Sequence, residues 1–147
     1  MEKLKDKPVI HTRLKDLEPL LKIVENFPAG RKNATLLGHP DAENMLIVYQ
    51  VFEPGHRGRY HTHKRSENVF FVLQGTMEAL VGGKRYFVHA GEMLYCPNNV
   101  PHTLGCYGDE TVVGIEIYAP SRGEYGEMDS FPAEEPAEFE NANSPDD

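Results

Sequence analysis

The stretch GHRGRYHTHKRSENVFFVLQG, residues 55–75, decides how the chain is read. His61 and His63 stand two apart in a run expected to be a strand, Arg57–His63, so their rings project from one face. Two imidazoles on one face can offer two nitrogens to a single ion. The apolar run Val69–Leu73 that follows reads as a buried strand ending at Gly75. A second stretch, Gly91-x5-Pro97-x4-His102-x3-Cys106, opens a later strand with another histidine, directly after the turn Pro97–Pro101. An antiparallel roll brings His102 opposite the pair. His11, His39, His56 and His89 carry no such spacing and read as surface or hydrogen-bonded residues.

Outward from these motifs, residues from about 43 onward form short stretches rich in Val, Ile, Phe and Tyr, separated by Gly and Pro. That pattern predicts an all-β sandwich or barrel. The expected strands are Met45–Phe52, Arg57–His63, Val69–Leu73, Met77–Val81, Arg85–His89, Met93–Cys96, His102–Cys106 and Thr111–Tyr118. Gly82-Gly83 supplies the positive φ angles of a two-residue hairpin turn. Before the barrel, Asp16 is placed to cap a helix with apolar positions Leu17, Leu20, Leu21, Val24 and Phe27, Pro19 in its first turn and Pro28-Ala-Gly30 at its end.

The 147 residues fit one core of ordinary size. Mean hydropathy of -0.51 and the lack of an apolar run of about 18 residues exclude a membrane-spanning helix. Residues 121–147 carry one arginine against nine acids, the whole of the net charge of -8, so the body is neutral. A neutral body offers no basic surface for nucleic acid. Few apolar side chains remain after Tyr118, and the acidic tail is expected to be solvated and disordered. Cys96 and Cys106 form no CxxC pair, which points to reduced thiols. The start, Met1–Pro8, has no apolar segment behind it, and a cytoplasmic location is the expectation.

Taken together, Gly55-x5-His61-x-His63-x3-Glu67 with its strand to Gly75, and Gly91-x5-Pro97-x4-His102-x3-Cys106, resemble the two motifs of the cupin superfamily over roughly residues 43–119. The resemblance implies a small double-stranded β-helix, the cupin jelly-roll barrel, with residues 1–42 as an N-terminal arm and helix, 43–120 as the barrel and 121–147 as the tail. It also implies one divalent transition metal (Fe, Mn, Ni, Cu or Zn) on His61, His63 and His102. The family's acidic ligand position is contested here. Counting forward from His63 favours Glu67, and counting back from Gly75 favours Asn68. A shift of one residue on a strand reverses the face, so only a bulge near Ser66 would turn Glu67 inward. Asn99 and Cys106 stand where the second motif commonly has Gly and Asn.

Arg57 and Arg59 share the parity of the histidine pair and could hold a substrate carboxylate, enolate or phosphate at the mouth, or be solvated strand-end charges. Tyr60 and Glu67 are candidate proton-transfer groups, and Tyr118 a candidate substrate contact. The leading expectation is a dioxygenase-type enzyme acting on a small oxygenated or anionic molecule. A non-redox isomerase, lyase or cyclase and a non-catalytic ligand-binding cupin are the alternatives. The expected partners are a small-molecule substrate and a second copy in a homodimer.

Overall fold

The computed structural model describes residues 8–24, 30–121 and 129–147. Its elements run α1 (Leu14–Leu17), a 3-10 turn (Glu18–Leu20), β1 (Lys22–Ile23), β2 (Arg31–Leu37), β3 (Leu46–Phe52), β4 (His61–Thr62), β5 (Glu67–Gln74), β6 (Thr76–Val81), β7 (Lys84–His89), β8 (Met93–Cys96), β9 (His102–Tyr107), β10 (Val112–Ala119), β11 (Phe131–Pro132) and β12 (Glu140–Asn141). They form two six-stranded sheets, ordered β1-β2-β3-β10-β5-β8 and β11-β4-β9-β6-β7-β12. The architecture is the all-β double-stranded β-helix expected from the motifs.

Strand alternation builds the core. On β10, Val112, Gly114, Glu116 and Tyr118 are buried while the intervening residues are half-buried. Phe52, Phe70, Val72, Met77, Ala79, Val88 and Leu104 fill the interior with Val112. Gly114 is required there, because a Cβ would meet Phe70 Cε1 at 2.1 Å and the Phe71 carbonyl oxygen at 2.5 Å. Gly82 and Gly83, at φ 57° and 83°, make the expected turn between β6 and β7. On the outer face of the first sheet, Leu17 covers Tyr49 and Val51, with Leu14, Leu21 and Leu36 around them.

Four sequence expectations change. The helix is a single turn with Arg13 at its N-cap position and no side-chain cap, and Asp16 instead accepts a 2.9 Å bond from Arg13 Nε. Because this turn starts at Leu14, Pro19 falls beyond the first turn, where it has no N–H to give, and the chain tightens into a 3-10 turn. Glu25–Pro28 of the expected helix lie outside the described residues. Arg31–Leu37, a polar run with no strand signal, is β2, recruited by its ladder with β3. The expected strand Arg57–His63 contracts to His61–Thr62 plus a bridge between Arg57 and Gly105.

The last change concerns the tail. Residues 129–147 keep most of their side chains exposed, as expected, but are ordered along the barrel edges: β11 pairs with β4, and β12 runs parallel to β7. Asn143 accepts from Phe87 N–H at 2.8 Å and donates to the Phe87 carbonyl at 2.9 Å, a side-chain copy of strand pairing. Composition predicts solvation by counting apolar surface, but these contacts satisfy backbone groups at sheet edges and need little of it. Residues 122–128 of the tail lie outside the described residues.

Candidate metal centre

β4 and β9 are neighbours with His61 and His102 in direct register, and His63 follows one residue after β4. The three rings meet inside the barrel mouth, with centroids 4.8, 4.6 and 5.1 Å apart. One donor atom from each lies within 4.8 Å of the others. His63 and His102 are each 1% exposed, and His61 is half-buried.

Backbone carbonyls set the tautomers. His61 Nδ1 bonds to the Arg59 carbonyl, His63 Nδ1 to that of Asp129, and His102 Nδ1 to that of Val100 at 2.9 Å. A carbonyl only accepts, so each neutral ring carries its proton on Nδ1 and turns an Nε2 lone pair inward. His61 Nε2 and His63 Nε2 are 3.2 Å apart. Two lone pairs at that distance repel unless a cation sits between them, and nitrogens about 2.1 Å from one ion lie about 3.0 to 3.4 Å from each other. The donor set therefore fits a divalent metal.

His61 is pushed down to about 4, chiefly by burial and then by the neighbouring His102 and His63. The Arg59 carbonyl and the Glu116 carboxylate oppose this without reversing it. The ring is thus neutral and ready to ligate at neutral pH. Its folded value lies below the ordinary 6.5, so between those limits the unfolded chain binds a proton that the folded protein refuses. This contribution to stability is full above 6.5 and is lost as pH falls toward 4. Urea midpoints of metal-free protein should therefore drop over that window, and His61→Gln should flatten the slope. Equal slopes for the two proteins would contradict the assignment.

Other expected site residues divide. Asn68 is buried and faces inward, donating Nδ2 to Glu116 Oε2 at 2.9 Å, and its Oδ1 has no hydrogen-bond partner among the described residues. Glu67 is exposed and accepts from the Tyr95 hydroxyl. The ladder is regular here, Asn68 opposite Tyr118 and Glu67 opposite Ala119, so no bulge rescues Glu67. Tyr118 is buried with its ring 5.5 Å from that of His63. Tyr60 is engaged elsewhere: its hydroxyl accepts from Gly83 N–H at 3.3 Å and its ring meets Phe139 edge-on. Arg57 pairs with Glu135 in an outer cleft shared with Glu78 and Arg85. Arg59 is exposed and its carbonyl, not its guanidinium, serves the site. Burial raises the thiols of Cys96, to about 12, and Cys106, which fits structural roles.

Two site residues escape sequence reading. Glu116, 3% exposed, accepts from Gln50 Nε2 at 2.7 Å and from Asn68. Its neighbours Ile115 and Ile117 invite the opposite parity, and only the pairing of β10 with β3 and β5 turns the carboxylate inward. Asp129 sits in the acidic tail, where no local signal marks it.

Two facing sheets closed over three converging imidazoles define a jelly-roll barrel with a site able to hold a metal. The sequence pattern of the cupin domain matches residues 48–118. A cupin-like protein from Thermotoga maritima is 27% identical, over 62% of this chain and 69% of that one, with a TM-score of 0.57. An RmlC-like cupin from Shewanella frigidimarina is 23% identical over 74% and 91%, with a TM-score of 0.60. The polyketide cyclase RemF from Streptomyces resistomycificus is 18% identical over 89% of both chains, with a TM-score of 0.71. No curated protein matches in sequence. Residues 48–118 therefore carry a cupin domain, and the fold around it is that of the cupin barrels.

Proposed function

We propose that the protein is a metal-dependent enzyme that moves protons on a small oxygenated or anionic molecule, in an isomerisation, elimination or cyclisation. The observation that carries this reading is Glu116, a buried carboxylate fixed by two side-chain amides, one of them that of the inward-facing Asn68. His61, His63 and His102 would hold the ion, with Asn68 Oδ1 as a further oxygen donor to it or to substrate. A bound dication supplies Lewis-acid polarisation of a substrate oxygen, which acidifies the adjacent C–H or O–H. Glu116 takes that proton, and the amides of Gln50 and Asn68 keep its carboxylate aimed.

Deuterium wash-in tests it. Zn(II)-loaded protein, kept anaerobic in D2O with a panel of enolisable carbonyl compounds and sugar phosphates, should exchange the activated C–H of at least one. Glu116→Gln should slow that exchange by about 100- to 10,000-fold while retaining the metal. Exchange that is unaffected by Glu116→Gln, or absent for every compound, counts against the reading.

A second reading, the dioxygenase, is favoured by one observation: Glu67 faces away, so among the described residues no carboxylate joins the three imidazoles as a ligand. Oxygen uptake by the Fe(II)-loaded protein with the same panel, without deuterium exchange, would put it first.

A further inference from the structure

The acidic C-terminal stretch reaches the metal centre at Asp129. Its carboxylate is 7% exposed as a residue and accepts three consecutive backbone amides, Lys64 at 2.8 Å, Arg65 at 3.0 Å and Ser66 at 2.9 Å. Its carbonyl takes the Nδ1 proton of His63. A few residues on, Phe131 and Pro132 pair with Thr62 and His61, and Ala133 N–H donates to the Tyr60 carbonyl at 3.0 Å.

These contacts matter because the strand bearing the histidine pair is short. β4 has only two residues and meets β9 at a single pair, His61 with His102. The loop after it, residues 64–66, has three N–H groups in a row with one acceptor residue between them and solvent. Other bonds hold this segment by the His63 and Lys64 carbonyls, which accept from Asn99 N–H and Asn98 Nδ2, and by the Ser66 hydroxyl, which donates to the Pro120 carbonyl, but the N–H groups of residues 64–66 all turn to Asp129. The carbonyl that orients the ring and the carboxylate that ties the loop thus belong to the same residue, so ring and loop are fixed to one point.

We propose that Asp129 is a positioning residue of the metal centre, supplied by a segment outside both histidine motifs: its carboxylate clasps the 64–66 loop so that its own carbonyl can hold His63 as a ligand. This rests on the metal reading given above. Residues that orient a ligating imidazole typically contribute 10- to 100-fold, roughly, in metal affinity.

The test measures Zn(II) affinity by chelator competition and the visible absorption of the Co(II)-loaded protein for wild type, Asp129→Ala and Asp129→Asn. Glu138→Ala, an exposed carboxylate of the same segment, is the control. Asp129→Ala should weaken Zn(II) binding about 10- to 100-fold and alter the Co(II) spectrum, with Asp129→Asn, which keeps one acceptor oxygen, in between and Glu138→Ala unchanged. Amides 64–66 of wild type should exchange with solvent slowly, a result independent of whether any variant folds. Binding by Asp129→Ala within twofold of wild type, an unchanged Co(II) spectrum, or fast exchange at all three amides overturns the proposal while leaving the metal reading intact. Failure of wild type to bind either ion overturns both.

Discussion

Replacing His102 with alanine should empty the metal centre while leaving the barrel folded. Protein purified without a metal-affinity tag is expected to carry about one ion per chain, and the variant less than a tenth of that. A tetrahedral protein site binds Zn(II) with about 10 to 16 kcal/mol, so each ligand carries about 3 kcal/mol. Losing one ligand then weakens binding on the order of 100-fold, since 1.4 kcal/mol is tenfold. The cost in stability is smaller. The change leaves the half-buried Val100 carbonyl without the Nδ1 donor, a cost of about 1 kcal/mol. It also removes a neighbour whose charge lowers His61, so His61 in the metal-free variant should titrate above its wild-type value of about 4. Elemental analysis and circular dichroism read the two effects separately. Wild-type metal content in the variant would mean that the rings do not share an ion.

Gly114→Ala should be the most damaging glycine-to-alanine change among the described residues of this barrel. Its Cβ would lie 2.1 Å from Phe70 Cε1 and 2.7 Å from Phe70 Cζ, and Phe70 is 1% exposed with no space to retreat. The Phe71 carbonyl oxygen, 2.5 Å away, belongs to the β5 ladder and is equally held. Overpacking of this kind costs about 1 to 3 kcal/mol, and more where backbone must move. For a domain of this size that corresponds to a fall in melting temperature of about 3 °C per kcal/mol. The displacement should also reach the site, because Glu116 is two residues along β10 and Asn68 two residues back on β5. A melting temperature within a degree of wild type would show that Phe70 repacks freely.

The motifs were legible because their information is local. Spacing alone places His61 and His63 on one face, and Gly91, Pro97 and His102 punctuate a strand start that the structure reproduces. Seven of the eight expected strands recur with ends displaced by at most three residues, since β-branched and aromatic runs between glycines read the same in sequence and in space. The Glu67 and Asn68 alternatives could not be separated that way. Both counts are arithmetic on one strand, and the choice of face belongs to its partners, β10 and β8.

By itself, then, the amino-acid sequence determined an all-β barrel, the three histidines that converge in it and the cupin domain they mark. Tertiary structure alone decided that Asn68 faces inward and Glu67 outward, that Glu116 stands buried between the amides of Gln50 and Asn68, and that the acidic tail returns to hold His63 through Asp129. The physical reason is common to all three. Sheet register and edge pairing are made by backbone groups that every residue carries, so they leave no mark in side-chain pattern until the strands have met.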